Sequence, residues 1–306
     1  MIPPSSGSLS RRRFLTVAGG AAAGALLLGA CGDDDGGSVS SEGGDDDGTT
    51  TTAVGGAVAL AQFFGGPMFA AGEPVRAPFG VSDTEGLLPT DDTPEQLTIK
   101  ILDPDGEEVD SVEVARRSEA LPRAYFPLTF TPPAAGVYTA RTEIGGSAAE
   151  MAIMIDQAAD LSVVKPGDAI PAVATPTPTD ARGVNPICTA EPACPLHDVS
   201  LADALGEGRP IALLVATPAF CQIAICGPVL DVLLEATGGH PDVRFLHAEV
   251  YANPGEGLEE YAPIVSELGL HFEPCLLLIG ADGTLVERLD TIYDRSELDE
   301  RLTALV

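Results

Sequence analysis

An apolar run that stops at a Thr-Pro break, followed at once by two cysteines and a helical repeat, constrains this chain more than any other stretch. Residues 209–237 read RPIALLVATPAFCQIAICGPVLDVLLEAT. The apolar residues 211–215 suit a buried strand, and Thr217-Pro218 ends it. Ile225, Val229, Val232 and Leu233 then recur at helical spacing, which predicts strand, tight loop, helix, with Cys221 at the helix N-terminus. Unpaired amides and the positive end of the helix dipole there favour a thiolate, the reactive form of the side chain. A Cys among apolar residues is also a common small buried hydrophobe, so position alone leaves both readings open.

The residues that follow alternate in type. Gly238-Gly239 stops the helix, 243–250 reads as a strand, and a short helix is expected over 263–268. Glu273-Pro274 leads into an apolar strand, Ala281-Asp282-Gly283 marks a turn, 284–289 returns as a strand, and 294–305 is amphipathic, with Ser296 the expected N-cap. Strand, helix, strand, helix, hairpin, helix is an α/β layered pattern.

In order and residues, 210–306 resembles the thioredoxin superfamily, in which a cysteine pair sits at a helix start and a cis-Pro before a later strand faces it. The resemblance places Cys221 as the attacking Cys, Pro228 as the helix Pro and Pro274 as the cis-Pro. The chain departs from that pattern in spacing, Cys-x4-Cys (Cys221, Cys226), in lacking a Trp before the pair, and in carrying Val215 where many members bury an Asp. Residues five apart on a helix are rotated by about 140°, so a Cys221–Cys226 disulfide needs a local break in the first turn. A second register, CGPV at Cys226, makes Cys226 the attacking Cys; the Cys221 register keeps Pro228 closer to the family's position.

At the chain's start, Ser10-Arg11-Arg12-Arg13-Phe14-Leu15 resembles a twin-arginine export pattern, and Leu28-Gly29-Ala30-Cys31 a lipoprotein signal-peptidase site. Residues 1–30 therefore read as a leader, with Cys31 lipidated and the mature chain extracytoplasmic and anchored to the cell membrane. Residues 31–56, rich in Asp, Gly, Ser and Thr, have no means of forming a core and read as an acidic tether.

Residues 57–157 read as an all-β unit, with strand-type runs at 57–64, 75–81, 96–102, 107–114, 124–130, 137–144 and 149–155. This density of short strands predicts an immunoglobulin-like sandwich. The run from Phe130 to Tyr138 resembles the late-strand corner of bacterial immunoglobulin-like domains. The fold class expected is thus two domains, an all-β immunoglobulin-like sandwich followed by an α/β thioredoxin-like domain over 209–306. Without Cys or His, the sandwich is assigned a binding or spacer role.

Residues 158–208, rich in Pro, read as an extended linker laid on the second domain, ending in a short helix at 199–205. Within it Cys188 and Cys194 suit a small structural disulfide loop, worth about 2 kcal/mol, with a second redox pair as the alternative. Lipid on Cys31 leaves an odd number of cysteines in an oxidising compartment, so at least one thiol is free or pairs between molecules. Cys275 is the odd one if Cys221 bonds Cys226; as an accessory thiol it competes to bond Cys221.

The formal charge is −30, and removing the leader's arginines makes it more negative still. With only two lysines, Lys100 and Lys165, the chain offers no basic patch for nucleic acid. The reading is a thiol:disulfide oxidoreductase in which Cys221 attacks and Cys226 or Cys275 resolves, acting on protein thiols and disulfides without a cofactor. The alternatives are a binding lipoprotein with a degenerate thioredoxin fold, a peroxiredoxin-like peroxidase, and copper binding as in the Sco chaperones through Cys221, Cys226 and His271. The peroxidase pattern is out of step by one residue, with Phe220 at the expected Cys. His197, His240 and His247 belong to no motif.

Overall fold

Alternation decides which face of each strand in the first half is buried. In the computed structural model, which describes residues 58–221 and 223–306, Leu97, Ile99 and Ile101 point inward while Gln96, Thr98 and Lys100 face water. One antiparallel sheet is built on β2 (Val75–Asp83), which pairs with β1 (Ala59–Gln62), β3 (Gly86–Leu87) and β6 (Phe126–Phe130). The other has the order β5-β4-β7-β8, from β4 (Gln96–Leu102), β5 (Glu108–Ala115), β7 (Gly136–Ile144) and β8 (Ser147–Ile155). Phe79 and Phe126 from the first sheet and Ile99 and Ile153 from the second share one core. The Tyr138 hydroxyl donates to the Ala134 carbonyl at 3.1 Å, across the start of β7.

The second half is a four-stranded sheet of order β10-β9-β11-β12, from β9 (Ile211–Val215), β10 (Arg244–Ala248), β11 (Cys275–Ile279) and β12 (Leu285–Asp290). β9 and β10 are parallel, and β11 runs antiparallel to both β9 and β12. The crossover between the parallel strands is α2 (Cys226–Ala236), which lies with α4 (Arg295–Leu305) over one face. α1 (Leu201–Leu205) and α3 (Pro263–Glu267) cover the other. Covered on both faces, β9 is buried at every residue. This strand order and helix placement make the half thioredoxin-like. Asp294, not Ser296, caps α4: its carboxylate accepts from Glu297 N at 2.8 Å, one turn in from the break after Tyr293.

Residues 158–208 follow the second half closely, as their prolines predict. Val164 N donates to Leu268 O at 3.1 Å, Ile170 N to Gly283 O at 2.9 Å, and Asn185 N to Ala252 O at 2.7 Å. Gly269 permits the first crossing: it has φ 62°, and a β-carbon there would strike the Ser162 carbonyl.

Sandwich and α/β half lie in a single compact unit and meet through buried charge. Arg76 of β2 forks onto Glu297 of α4 at 2.8 and 2.7 Å and also donates to the carbonyls of Asp290 and Ile292. The Tyr125 hydroxyl donates to the same carboxylate at 2.5 Å and accepts from Asp294 N at 2.9 Å. The expected leader, Cys31 and the acidic tether lie outside the described residues. Among the described residues no helix is long and apolar enough to cross a membrane.

Candidate active site

β9 ends inside the molecule, and its last residues fix the loop that follows. Thr217 is fully buried; its N–H donates to Glu273 Oε2 at 2.8 Å and its hydroxyl accepts from Val250 N at 2.9 Å. From this anchor the chain runs out to Phe220 and Cys221 and returns to α2. Cys221 and Cys226 are joined in a disulfide with a Cα separation of 6.0 Å. Between them Ala224 adopts φ 54°, a left-handed conformation that breaks any helical path from Cys221. The helix therefore opens at Cys226, not at Cys221 as its periodicity predicts, and the Cys226 N–H at its start donates to Cys221 Sγ at 3.4 Å.

The two sulfur-bearing residues differ in access. Cys221 is half-buried and lies among exposed apolar neighbours, Phe220 and Ile223, whereas Cys226 is sealed. Cys226 Sγ lies 3.6 Å from Glu273 Oε2. Glu273 precedes the cis Glu273–Pro274 bond, the isomer that the resemblance implies. Burial pushes the Glu273 carboxyl up to about 7; the Thr217 N–H and Tyr251 pull it down, and the nearby Glu249 pushes it further up. A carboxyl that is half protonated near neutrality, in contact with the buried sulfur, can supply or remove the proton of that sulfur. The sequence marks this residue only as a lone acidic side chain at the mouth of an apolar strand.

Cys275, expected as an accessory thiol, does not face the Cys221–Cys226 bond. Adjacent residues of β11 point to opposite faces. Leu276 and Leu278 join α2 and Cys226 on one side, while Cys275 faces the other with Val215 and Leu277. It is fully buried, lies 3.3 Å from Asp290 Oδ1, and burial holds its thiol well above the ordinary range. The copper set of Cys221, Cys226 and His271 is not assembled either. The sulfurs are bonded to each other, and His271 Nε2 pairs with Ser162 Oγ at 2.7 Å.

Cys188 and Cys194 do not form the expected disulfide; both are free and buried. The loop turns Cys188 Sγ to accept from Cys194 N at 3.3 Å, and Cys194 Sγ toward His197 Nε2 at 3.3 Å and His247 Nδ1 at 3.4 Å. These four side chains place their donor atoms within 4.8 Å of one another. The sequence signal was there, Cys-x5-Cys-x2-His, but its fourth member lies far along the chain in β10.

Next to the disulfide loop is a cleft of about 690 Å³ whose walls include Ile223, Tyr261 and Glu273 from the α/β half and Phe63 and Phe64 from the sandwich.

No protein-family profile matches this chain. No curated protein matches it. Among the solved structures that match it are two that align with less than half of the chain. One is described as MTB dsbF in its mixed oxidized and reduced forms, 17% identical over 45% of this chain and 99% of that one, with a TM-score of 0.31. The other is a putative thiol:disulfide interchange protein DsbE from Chlorobium tepidum, 14% identical over 46% of this chain and 98% of that one, with a TM-score of 0.31.

Proposed function

We propose that this protein is a thiol:disulfide oxidoreductase whose working bond is Cys221–Cys226. The observation that carries the reading is the asymmetry of that bond: one cysteine accessible, the other buried against a carboxyl tuned near neutrality. A partner thiolate attacks Cys221 Sγ in line with the disulfide, forming a mixed disulfide and expelling Cys226 as a thiolate. The positive end of the α2 dipole stabilises that charge, and protonated Glu273 quenches it. A second partner thiol then attacks the partner's own sulfur and releases Cys221; the partner leaves oxidised and this chain reduced. Run backwards, the same steps reduce a partner disulfide.

The cleft beside Ile223 suits an extended apolar segment of a protein partner, and the Phe63–Phe64 wall gives the sandwich, read as immunoglobulin-like, a part in binding it. The Arg11–Arg13 pattern and Cys31 support export and lipid anchoring on the outer side of the cell membrane. Cys31→Ser should move the protein from the membrane to the soluble fraction.

The test is turnover of a disulfide substrate by the purified full chain. Cys221→Ser is expected to abolish it, and Cys226→Ser to abolish turnover while accumulating the mixed disulfide. Turnover that survives Cys221→Ser sinks the assignment.

A further inference from the structure

We propose that Cys188, Cys194, His197 and His247 form a closed structural site for a zinc ion, distinct from the redox pair. Zinc bonds sulfur at about 2.3 Å and imidazole nitrogen at about 2.0 Å, so a tetrahedral S2N2 set has N···N edges of about 3.3 Å and S···N edges of about 3.5 Å. The structure has His247 Nδ1 to His197 Nε2 at 3.1 Å, Cys194 Sγ to the two nitrogens at 3.3 and 3.4 Å, and Cys188 Sγ to His247 Nδ1 at 3.9 Å. These four edges are close to those of a four-coordinate shell, and the remaining two are no longer than 4.8 Å. Each residue is at most 8% exposed, which leaves no open position for water and marks a structural site. Two thiolates neutralise the dication, so the buried site carries no net charge.

The surroundings orient the ligands. His247 Nε2 donates to the Ala216 carbonyl at 3.0 Å, which leaves Nδ1 with its lone pair toward the cluster. His197 Nδ1 is buried without a hydrogen-bond partner, so what holds that ring is the group its Nε2 faces. Cys194 N donates to Cys188 Sγ at 3.3 Å, the kind of bond that steadies a thiolate ligand.

The site would clamp the loop carrying the disulfide. Ala216, which holds His247, immediately precedes Thr217, and Thr189, next to Cys188, accepts from Ala219 N at 3.2 Å. The metal therefore pins the 188–197 segment and the root of the redox loop to β10 together.

Purified under reducing conditions and dialysed, the full chain is expected to hold one zinc per molecule by elemental analysis, with a thermal midpoint that rises with added zinc. Cobalt substituted into the wild type should give the visible bands of a tetrahedral ion and thiolate charge transfer. Cys194→Ser and His197→Ala should each bind zinc at least tenfold more weakly. A Cys221→Ser/Cys226→Ser double variant should keep full stoichiometry, even if turnover shows the oxidoreductase reading to be wrong. A wild-type chain that binds neither zinc nor cobalt overturns the site. So does a Cys188–Cys194 disulfide in zinc-loaded protein, or metal lost with the 221/226 pair.

Discussion

Glu273 links the burial of one carboxyl to the pH at which the disulfide opens. The groups that face it are the Thr217 N–H, Tyr251, Glu249 and the Cys226 sulfur. Protonated below about 7, it can deliver a proton to Cys226; above that it cannot. With a phosphine reductant, whose own nucleophilicity changes little over this range, opening should be faster in the wild type than in Glu273→Gln by a factor on the order of 10² at pH 6, the ratio falling toward one by about pH 9. A ratio that does not change with pH removes the acid role. Stability follows the same group. Its folded pKa is raised, so its contribution is fully present below the ordinary carboxyl value and is lost as pH rises through about 7. Urea titrations should therefore find Glu273→Gln gaining on the wild type between pH 5 and 8 by on the order of 1 kcal/mol, allowing for solvent around this half-buried residue. A variant that loses ground over that range contradicts the raised pKa.

At the scale of elements, the joint between β2 and α4 is the most exacting contact. Burial pushes the Glu297 carboxyl up, but Arg76 and Tyr125 together bring it below its ordinary value. Arg76→Ala leaves that carboxylate buried without its cation and should cost about 3–5 kcal/mol in chemical denaturation. Arg76→Met with Glu297→Leu should recover most of the loss, because no charge is then stranded; a double variant as unstable as the single one contradicts this account. Elements were also where the sequence was most legible. Strand-type runs between turn residues, with alternation explicit at Leu97, Ile99 and Ile101, placed β4, β7 and β8 to within about two residues, since one wet face and one dry face write themselves into a strand. The start of α2 was missed because an apolar repeat records which residues face the core, not where the backbone leaves the helix. Ala224, with nothing in its side chain to announce a positive φ, made that break.

Across the whole molecule, what the sequence could not reveal was convergence. Cys188 and Cys194 suited a disulfide because they are close in the chain, yet the side chains that meet them, His197 and His247, are brought up by a Pro-rich segment and the edge strand β10. The cysteine pair of the redox loop was legible because both members lie within one short stretch. Its acid partner was hidden because Glu273 arrives 47 residues after Cys226, at the mouth of the neighbouring strand β11. The same convergence sets the sandwich against the α/β half, so that Phe63 and Glu273 line one cleft.

The central claim, that the Cys221 sulfur is the one a partner meets, is tested most directly by trapping. The oxidised full chain is mixed with a thiol-bearing peptide, quenched with an alkylating agent, and the mixed disulfide located by peptide mass spectrometry. The account predicts the peptide on Cys221 with Cys226 alkylated; the peptide on Cys226, or no adduct with the 221–226 bond intact, would contradict it.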